Sequence, residues 1–185
     1  MKTVLIALVS LFVLPNVTVD TVPVNVEKST ISWEGNKVTG SHSGTINLES
    51  GSLEFDDKVL VGGNFVMDMT SITVTDLEGD SKAKLEGHLK DDDFFGVNNF
   101  PSASYVITSV KVVDATNVEL TGDLTIKGIT KSYTFNMAMV DGGAQVFAII
   151  DRTDFDIRYG SASFFDSLGD RAIYDDFELN INLAM

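Results

Sequence analysis

The stretch Asn117-Val118-Glu119-Leu120-Thr121-Gly122-Asp123-Leu124-Thr125-Ile126-Lys127 decides the fold. In an extended chain Val118, Leu120, Leu124 and Ile126 fall on one side. Glu119, Thr121, Asp123, Thr125 and Lys127 fall on the other. A period of two is that of a strand with one face in a core and one in water. Tyr133, Phe135, Met137 and Met139 alternate in the same way with Ser132, Thr134, Asn136 and Ala138. Phe177, Leu179, Ile181 and Leu183 alternate with Asp176, Glu178, Asn180 and Asn182.

Outward from these runs the pattern continues. Val59, Val61, Phe65, Met67 and Met69 read as one stripe interrupted by Gly63. Ile31 and Trp33, Ile46 and Leu48, and Val146, Ala148 and Ile150 form weaker stripes. Between residues 105 and 112 two facings compete, Tyr105 and Ile107 against Val106, Val110 and Val112. Turn residues separate the runs at Gly35-Asn36, Asp56-Asp57, Gly128 and Asp141-Gly142-Gly143, and Asp-Gly is a strong hairpin signal. The pattern predicts about eight strands, roughly 29–34, 37–48, 58–69, 103–113, 117–127, 130–140, 144–152 and 174–184.

Two stretches lack the alternation. Within residues 70–102, the segment from Asp80 to Lys90 reads as one short helix capped by Asp80, with Leu85 and Leu89 on one face. It leads into Asp91-Asp92-Asp93 and Phe94-Phe95. Residues 153–173 carry Phe155, Ile157, Tyr159, Phe164, Phe165 and Leu168. Loops this long in a compact domain are typically lids or binding loops.

With one short helix, the apolar faces of the strands must meet in a sandwich or a closed barrel. Hairpin-linked strand order favours an all-β, eight-stranded antiparallel up-and-down barrel. Its interior is just wide enough to be filled by side chains or to hold one narrow ligand. In such a meander both long stretches fall at the same end, gathering the helix and the aromatic residues around one mouth. An integral outer-membrane barrel has similar strand lengths. The sequence argues against it with a Leu183-Ala184-Met185 terminus and few Tyr and Trp for aromatic girdles.

The chain has 185 residues, 44% hydrophobic and 22% charged, enough for one domain with a substantial core. Thirteen Lys and Arg against 27 Asp and Glu give a net charge of −14, which repels nucleic acid and anionic lipid surfaces. No Cys is present, which excludes disulfides, thiolate metal sites and thiol catalysis. Lys2 is followed by an apolar run from Val4 to Leu14 and then Pro15. The run is too short to span a membrane and has the order of a secretory signal. Val19-x-Thr21 is the best cleavage match. It gives a signal segment over residues 1–21, a mature barrel over 22–185, and an exported, most simply periplasmic, location.

Catalytic motifs are sparse. Gly40-Ser41-His42-Ser43-Gly44 has His where a nucleophile elbow has Ser. His42 and His88 lack zinc-ligand spacing. Neither Asp91-Asp92-Asp93 nor Asp151-x-x-Asp154-x-Asp156 has the spacing of a calcium loop. No phosphate loop or dinucleotide fingerprint occurs. We therefore expect no enzyme, no metal and no cofactor. A hydrolase built on scattered acids is the outlying alternative.

Four segments occur in order: Gly40-x-His42-x-Gly44-x-Ile46; His88-Leu89-Lys90 with Asp93-Phe94-Phe95 and Pro101; Gly122-Asp123-Leu124-Thr125-Ile126-Lys127-Gly128-Ile129-Thr130; and Asp151-Arg152-Thr153-Asp154-Phe155. Together, over roughly residues 24–184, they resemble the YceI-like family of bacterial exported lipid-binding proteins. The resemblance implies an extended, lipocalin-like barrel holding a polyisoprenoid, such as a quinone or polyprenyl chain, for sequestration or transport. It departs at Asp156, where the family commonly has Gly. On this reading Phe65, Met67, Leu120, Leu124, Tyr133, Phe135 and Met137 form the tunnel wall, and Phe94, Phe95, Phe155, Phe164 and Phe165 the mouth. Arg152, Arg158 and Tyr159 are placed at a head group. The expected partner is a long-chain lipid, with no nucleic acid and no integral membrane segment; a homodimer is compatible with the pattern. The alternative is a stress-related or interaction barrel with a packed interior.

Overall fold

The computed structural model describes residues 18–185, so residues 1–17 of the expected signal segment lie outside the described residues. Nine strands form one antiparallel sheet: β1 (Val19–Pro23), β2 (Asn25–Lys37), β3 (Gly40–Asp56), β4 (Val59–Val74), β5 (Ser102–Val112), β6 (Asn117–Ile126), β7 (Ile129–Val140), β8 (Gly143–Asp151) and β9 (Ile173–Ala184). β1 and β2 share one barrel position. Near its start β3 pairs with β2, from Lys37↔Gly40 to Ile31↔Ile46, and near its end with β1, from Pro23↔Ser52 to Val19↔Asp56. Pairing of β3 with β4 closes the ring. The result is the expected closed, eight-stranded, up-and-down barrel. The expected cleavage point after Thr21 falls within β1.

Alternation sets the facing. Along β6 every second residue from Val118 to Ile126 is buried. Apolar faces turn inward and mainly polar faces outward, with Phe147 and Ile149 of β8 as exposed apolar exceptions; a lipid-embedded barrel has the reverse arrangement. Two stripes deviate, both through a bulge, where one extra residue reverses the facing of everything beyond it. In β4 the register runs from Phe55↔Leu60 to Glu54↔Gly62 and skips Val61. Leu60 is therefore buried, while Val59 and Val61, expected in the inward stripe, are exposed. In β5 the register skips Thr108 between Ile107↔Gly122 and Ser109↔Thr121. Tyr105 and Ile107 face inward before the bulge, and Val110 packs on the core after it. The two facings that compete in the sequence are each correct for part of the strand.

The first hairpin turns at Val38-Thr39 rather than Gly35-Asn36, because both strands pair through Gly35↔His42 and Asn36↔Ser41. Asp57-Lys58 and Lys127-Gly128 both take left-handed backbone, with φ of 45° and 68° and of 51° and 74°. That conformation matches the twist of the strands they join. Helix α1 spans Gly79–Lys90. Its N-cap is Glu78, which makes no side-chain cap bond, so Asp80 lies in the first turn and is not the cap. Glu86 fastens α1 to β4 by accepting from Thr73 Oγ1 and the Val74 N–H. As expected, the long connections share one end. Val38 N donates to Ala172 O, Lys127 Nζ donates to Asp92 O, and the Phe100 ring lies against Gly128.

Candidate functional site

A cavity of about 100 Å³ occupies the middle of the barrel. Its walls are apolar side chains from β2 to β9 and Phe95 from the loop after α1. Of the residues expected in the tunnel wall, Phe65, Met67, Leu120, Leu124, Phe135 and Met137 line it. Tyr133 does not. Ile31, Met69, Tyr105 and the inward set of β9, from Phe177 to Leu183, also line it. The same alternation that marks β6 could have placed the β9 residues on that wall.

Tyr133 belongs to a row of rings: Tyr105–Phe135 at 5.2 Å between centroids, Phe135–Tyr133 at 5.8 Å and Tyr133–Phe155 at 5.8 Å. The ladder between β7 and β8 stops at Asn136↔Phe147. Beyond it the Tyr133 hydroxyl bridges the seam, donating to Asp154 Oδ2 at 2.8 Å and accepting from the Asp151 N–H at 3.2 Å. Burial, with the Asp154 carboxylate beside it, raises the Tyr133 phenol above its ordinary value. Tyr105 is pushed up to about 12, first by burial and then by Asp123.

The five expected mouth residues divide. Phe95 caps the central cavity, Phe94 lines the spaces beyond it, and Phe155 is fully buried in a 3-10 turn over Arg152–Phe155. Phe164 and Phe165 are 46% and 51% exposed and line none of these spaces. The expected head-group residues divide too. Arg152 is buried and donates to the carbonyls of Tyr174, Ile157 and Ile173, with Asp175 3.5 Å away. Burial pulls its guanidinium below the usual value, against the pull of Asp175 and Asp151. Arg158 is exposed, paired with Asp156 at 2.8 Å and stacked over Phe164. Tyr159 packs its ring edge-on against His88 at 4.3 Å. Asp156 caps the 3-10 turn at φ 59°, a left-handed conformation that Gly adopts without steric cost.

Two smaller spaces lie toward α1. One of about 60 Å³ is walled by Trp33, Leu89, Phe94, Phe95, Arg152 and Phe177, among others. The next, about 80 Å³, is walled by Trp33, Lys37, His42, His88, Leu89 and Phe94, among others. Trp33 lies across Gly44, where a Cβ would come within 2.5 Å of the indole. His42 Nδ1 is bonded to Asp76 at 2.8 Å. Burial raises the Asp76 carboxyl, but the bonds from the Ser43 N–H and His42 outweigh it and hold the group below the ordinary value. His88, Asp91 and Asp93 bring one donor atom each within 4.8 Å of one another, with both carboxylates exposed. Among the described residues no helix is long and apolar enough to cross a membrane.

A closed antiparallel barrel with an apolar interior, a charged exterior and one loop-covered end defines a lipocalin-like barrel protein. The family model of the YceI-like domain matches residues 23–185, and the chain belongs to that family. It is 32% identical to protein YceI of Shigella flexneri over 101 residues, covering 54% of this chain and 50% of that protein. A UPF0312 protein of Vibrio parahaemolyticus is 31% identical over 138 residues, 66% of this chain and 69% of that one. The chain thus spans about half the length of the first of these curated relatives. In three dimensions it is similar to BcnA of Burkholderia cenocepacia (TM-score 0.70, 19% identity, 88% and 99% of the two chains covered). It is also similar to a Saccharophagus degradans domain described as polyisoprenoid-binding and implicated in plant cell wall breakdown (TM-score 0.61, 12% identity, 91% and 97% covered).

Proposed function

We propose that this protein binds a long apolar lipid, a polyisoprenoid of the quinone or polyprenyl kind, within the barrel, and sequesters or carries it after export to the periplasm. The observation that carries this reading is the central cavity, walled by apolar side chains. Such a site binds by removing apolar area from water, at about 25 cal/mol per Å². Walls of this kind favour binding by burial of an apolar ligand. The polyisoprenoid-binding description of the Saccharophagus domain supports the ligand class. The cavity's 100 Å³ is less than a long prenyl chain fills, so side chains must move aside. Met67, Met69 and Met137 on its wall are unbranched and adaptable. Mass spectrometry of organic extracts from protein purified from the periplasm tests this, together with uptake of added tetraprenyl ubiquinone. We expect a co-purifying prenyl lipid; empty extracts and no uptake would end the reading.

The modest volume favours one second reading, a packed interaction barrel. The two separate at Phe135. In a packed interior Phe135→Trp destabilises by about 1–3 kcal/mol through overpacking. In a ligand-holding interior it is tolerated, and prenyl-lipid binding falls.

A further inference from the structure

At the loop-covered end the barrel wall parts between two strands. The ladder of β7 with β8 ends at Asn136↔Phe147. Beyond it residues 129–135 of β7 pair with β6 alone, and residues 148–151 of β8 pair with β9 alone. Side chains span this seam instead. The Tyr133 hydroxyl accepts from the Asp151 N–H at 3.2 Å and donates to Asp154 Oδ2 at 2.8 Å, and Lys131 Nζ lies 4.0 Å from the same carboxylate. β4 likewise runs on past its last pair with β5, Asp68↔Ser102, but there Glu86 fastens a whole helix against Thr73 and Val74. The β7–β8 seam has only the turn Arg152–Phe155, whose Phe155 ring stacks on Tyr133 at 5.8 Å.

The seam leads to the central cavity. Phe135 of β7 and Ala148 and Ile150 of β8 line that cavity from the two sides of the parted strands. The Tyr133 ring stacks on Phe135 at 5.8 Å, and its hydroxyl reaches the half-exposed Asp154 carboxylate. Tyr133 therefore stands between the cavity wall and solvent. On the outer face Phe147 and Ile149 are exposed at the margin of the seam, an apolar approach on a mainly polar surface. Segments held by few main-chain bonds open at lower free energy than paired strands do. Swinging the Tyr133 ring aside breaks its two hydrogen bonds and no ladder pair. We propose that the β7–β8 seam is a side gate through which the apolar ligand enters and leaves the central cavity, with Tyr133 as its latch. This rests on the lipid-binding reading above. A gate sets the rates of entry and exit and leaves their ratio, the affinity, unchanged.

The chain has one Trp and no Cys, so fluorescence quenching by a quinone has a single reporter and introduced cysteines are the only thiols. The full chain is mixed in stopped flow with diprenyl ubiquinone, and release is followed into excess phosphatidylcholine vesicles. We expect Tyr133→Phe to speed uptake and release together, each about fivefold, the loss of roughly one net hydrogen bond, with Kd within about twofold. Thr134→Cys with Ile149→Cys places thiols one register step beyond Asn136↔Phe147, at two exposed positions. Bridging them with bis-maleimidoethane should slow uptake at least about tenfold. The same pair capped singly with N-ethylmaleimide should stay within about twofold of wild type. Asp92→Cys bridged to Lys127→Cys, which ties the loop after α1 to the β6–β7 turn, should also stay within about twofold. Should either seam variant fold poorly, the other carries the test. Unchanged uptake in the bridged seam, or equal slowing by both bridges, overturns the side gate and leaves lipid binding intact. Unchanged rates in Tyr133→Phe overturn its role as the latch. Absence of quenching and of co-eluting quinone in the wild type overturns the lipid-binding reading and the gate with it.

Discussion

The two ends of the barrel are built on different rules. At one end short connections turn at Asp57-Lys58, at 113–116 and at Asp141-Gly142. Leu53, Leu60 and Ile107, packed toward it, are buried strand residues in alternation with their neighbours. At the other end the seal comes from outside the strands: Leu89 of α1, Phe94 and Phe95 after it, and Phe155 and Ile157 after β8. One guanidinium, that of Arg152, ties this second seal to β9 through carbonyls on both sides of it. The first end is closed by a pattern repeated in every strand. The second depends on a few long-range polar bonds, and it is also where the chamber between Trp33 and His88 lies. The contrast teaches that the loop-covered end, where the proposed function would have a ligand enter, is the one whose closure rests on single residues.

The largest effect expected is at Arg152. Arg152→Met strands three carbonyls, that of Ile157 buried and those of Ile173 and Tyr174 part-buried, together with Asp175, and should lower the unfolding free energy by about 3–5 kcal/mol in urea titrations. A loss under about 1 kcal/mol would break the contrast between the ends. At the turn-bearing end Leu53→Ala should cost about 2–5 kcal/mol by leaving a cavity, yet leave prenyl-lipid binding unchanged, because Leu53 does not line the central cavity. Tyr133→Phe should cost about 1–2 kcal/mol and speed amide exchange at Asp151, where the phenol spans the β7–β8 seam.

Alkaline pH sharpens the comparison further. The Tyr105 phenol sits near 12 when folded against about 10 unfolded, so its neutral form favours the fold. That contribution is whole below pH 10 and is lost as pH rises through 12. The alkaline fall in melting temperature should be shallower in Tyr105→Phe. The acid side carries the opposite sign. Bonds from Thr73 and the Val74 N–H hold Glu86 low, and bonds from the Thr116 N–H and Asn117 hold Asp114 low. Each favours the fold above the ordinary carboxyl value and ceases to as pH falls below it. Glu86→Gln at one end and Asp114→Asn at the other should each weaken that acid dependence slightly, read as melting temperature between pH 3 and 7. Smallest of all, Phe164→Ser should change stability by less than about 0.5 kcal/mol, in contrast to buried Phe155 on the same connection.

Much of this was legible beforehand. Val118, Leu120, Leu124 and Ile126 announced an inward face and took it, and so did Phe135, Met137 and the residues of β9. The bulges at Val61 and Thr108 were not legible. An inserted residue changes the facing through the partner strand's register, and the partner is distant in sequence. Arg152 was expected at a head group, and nothing local shows that three carbonyls would receive it instead. Trp33 and His88 were each visible, and their shared chamber was not.

What the sequence determined by itself is the period of two, and with it the strands, the closed barrel and an apolar interior, because side-chain direction along an extended chain follows from covalent geometry alone. What only the tertiary structure decided is how the loop-covered end is sealed and which residues wall its chamber. Those depend on residues 33, 88 and 152 meeting across the fold, and hydrogen bonds between distant segments leave no periodic trace in the chain.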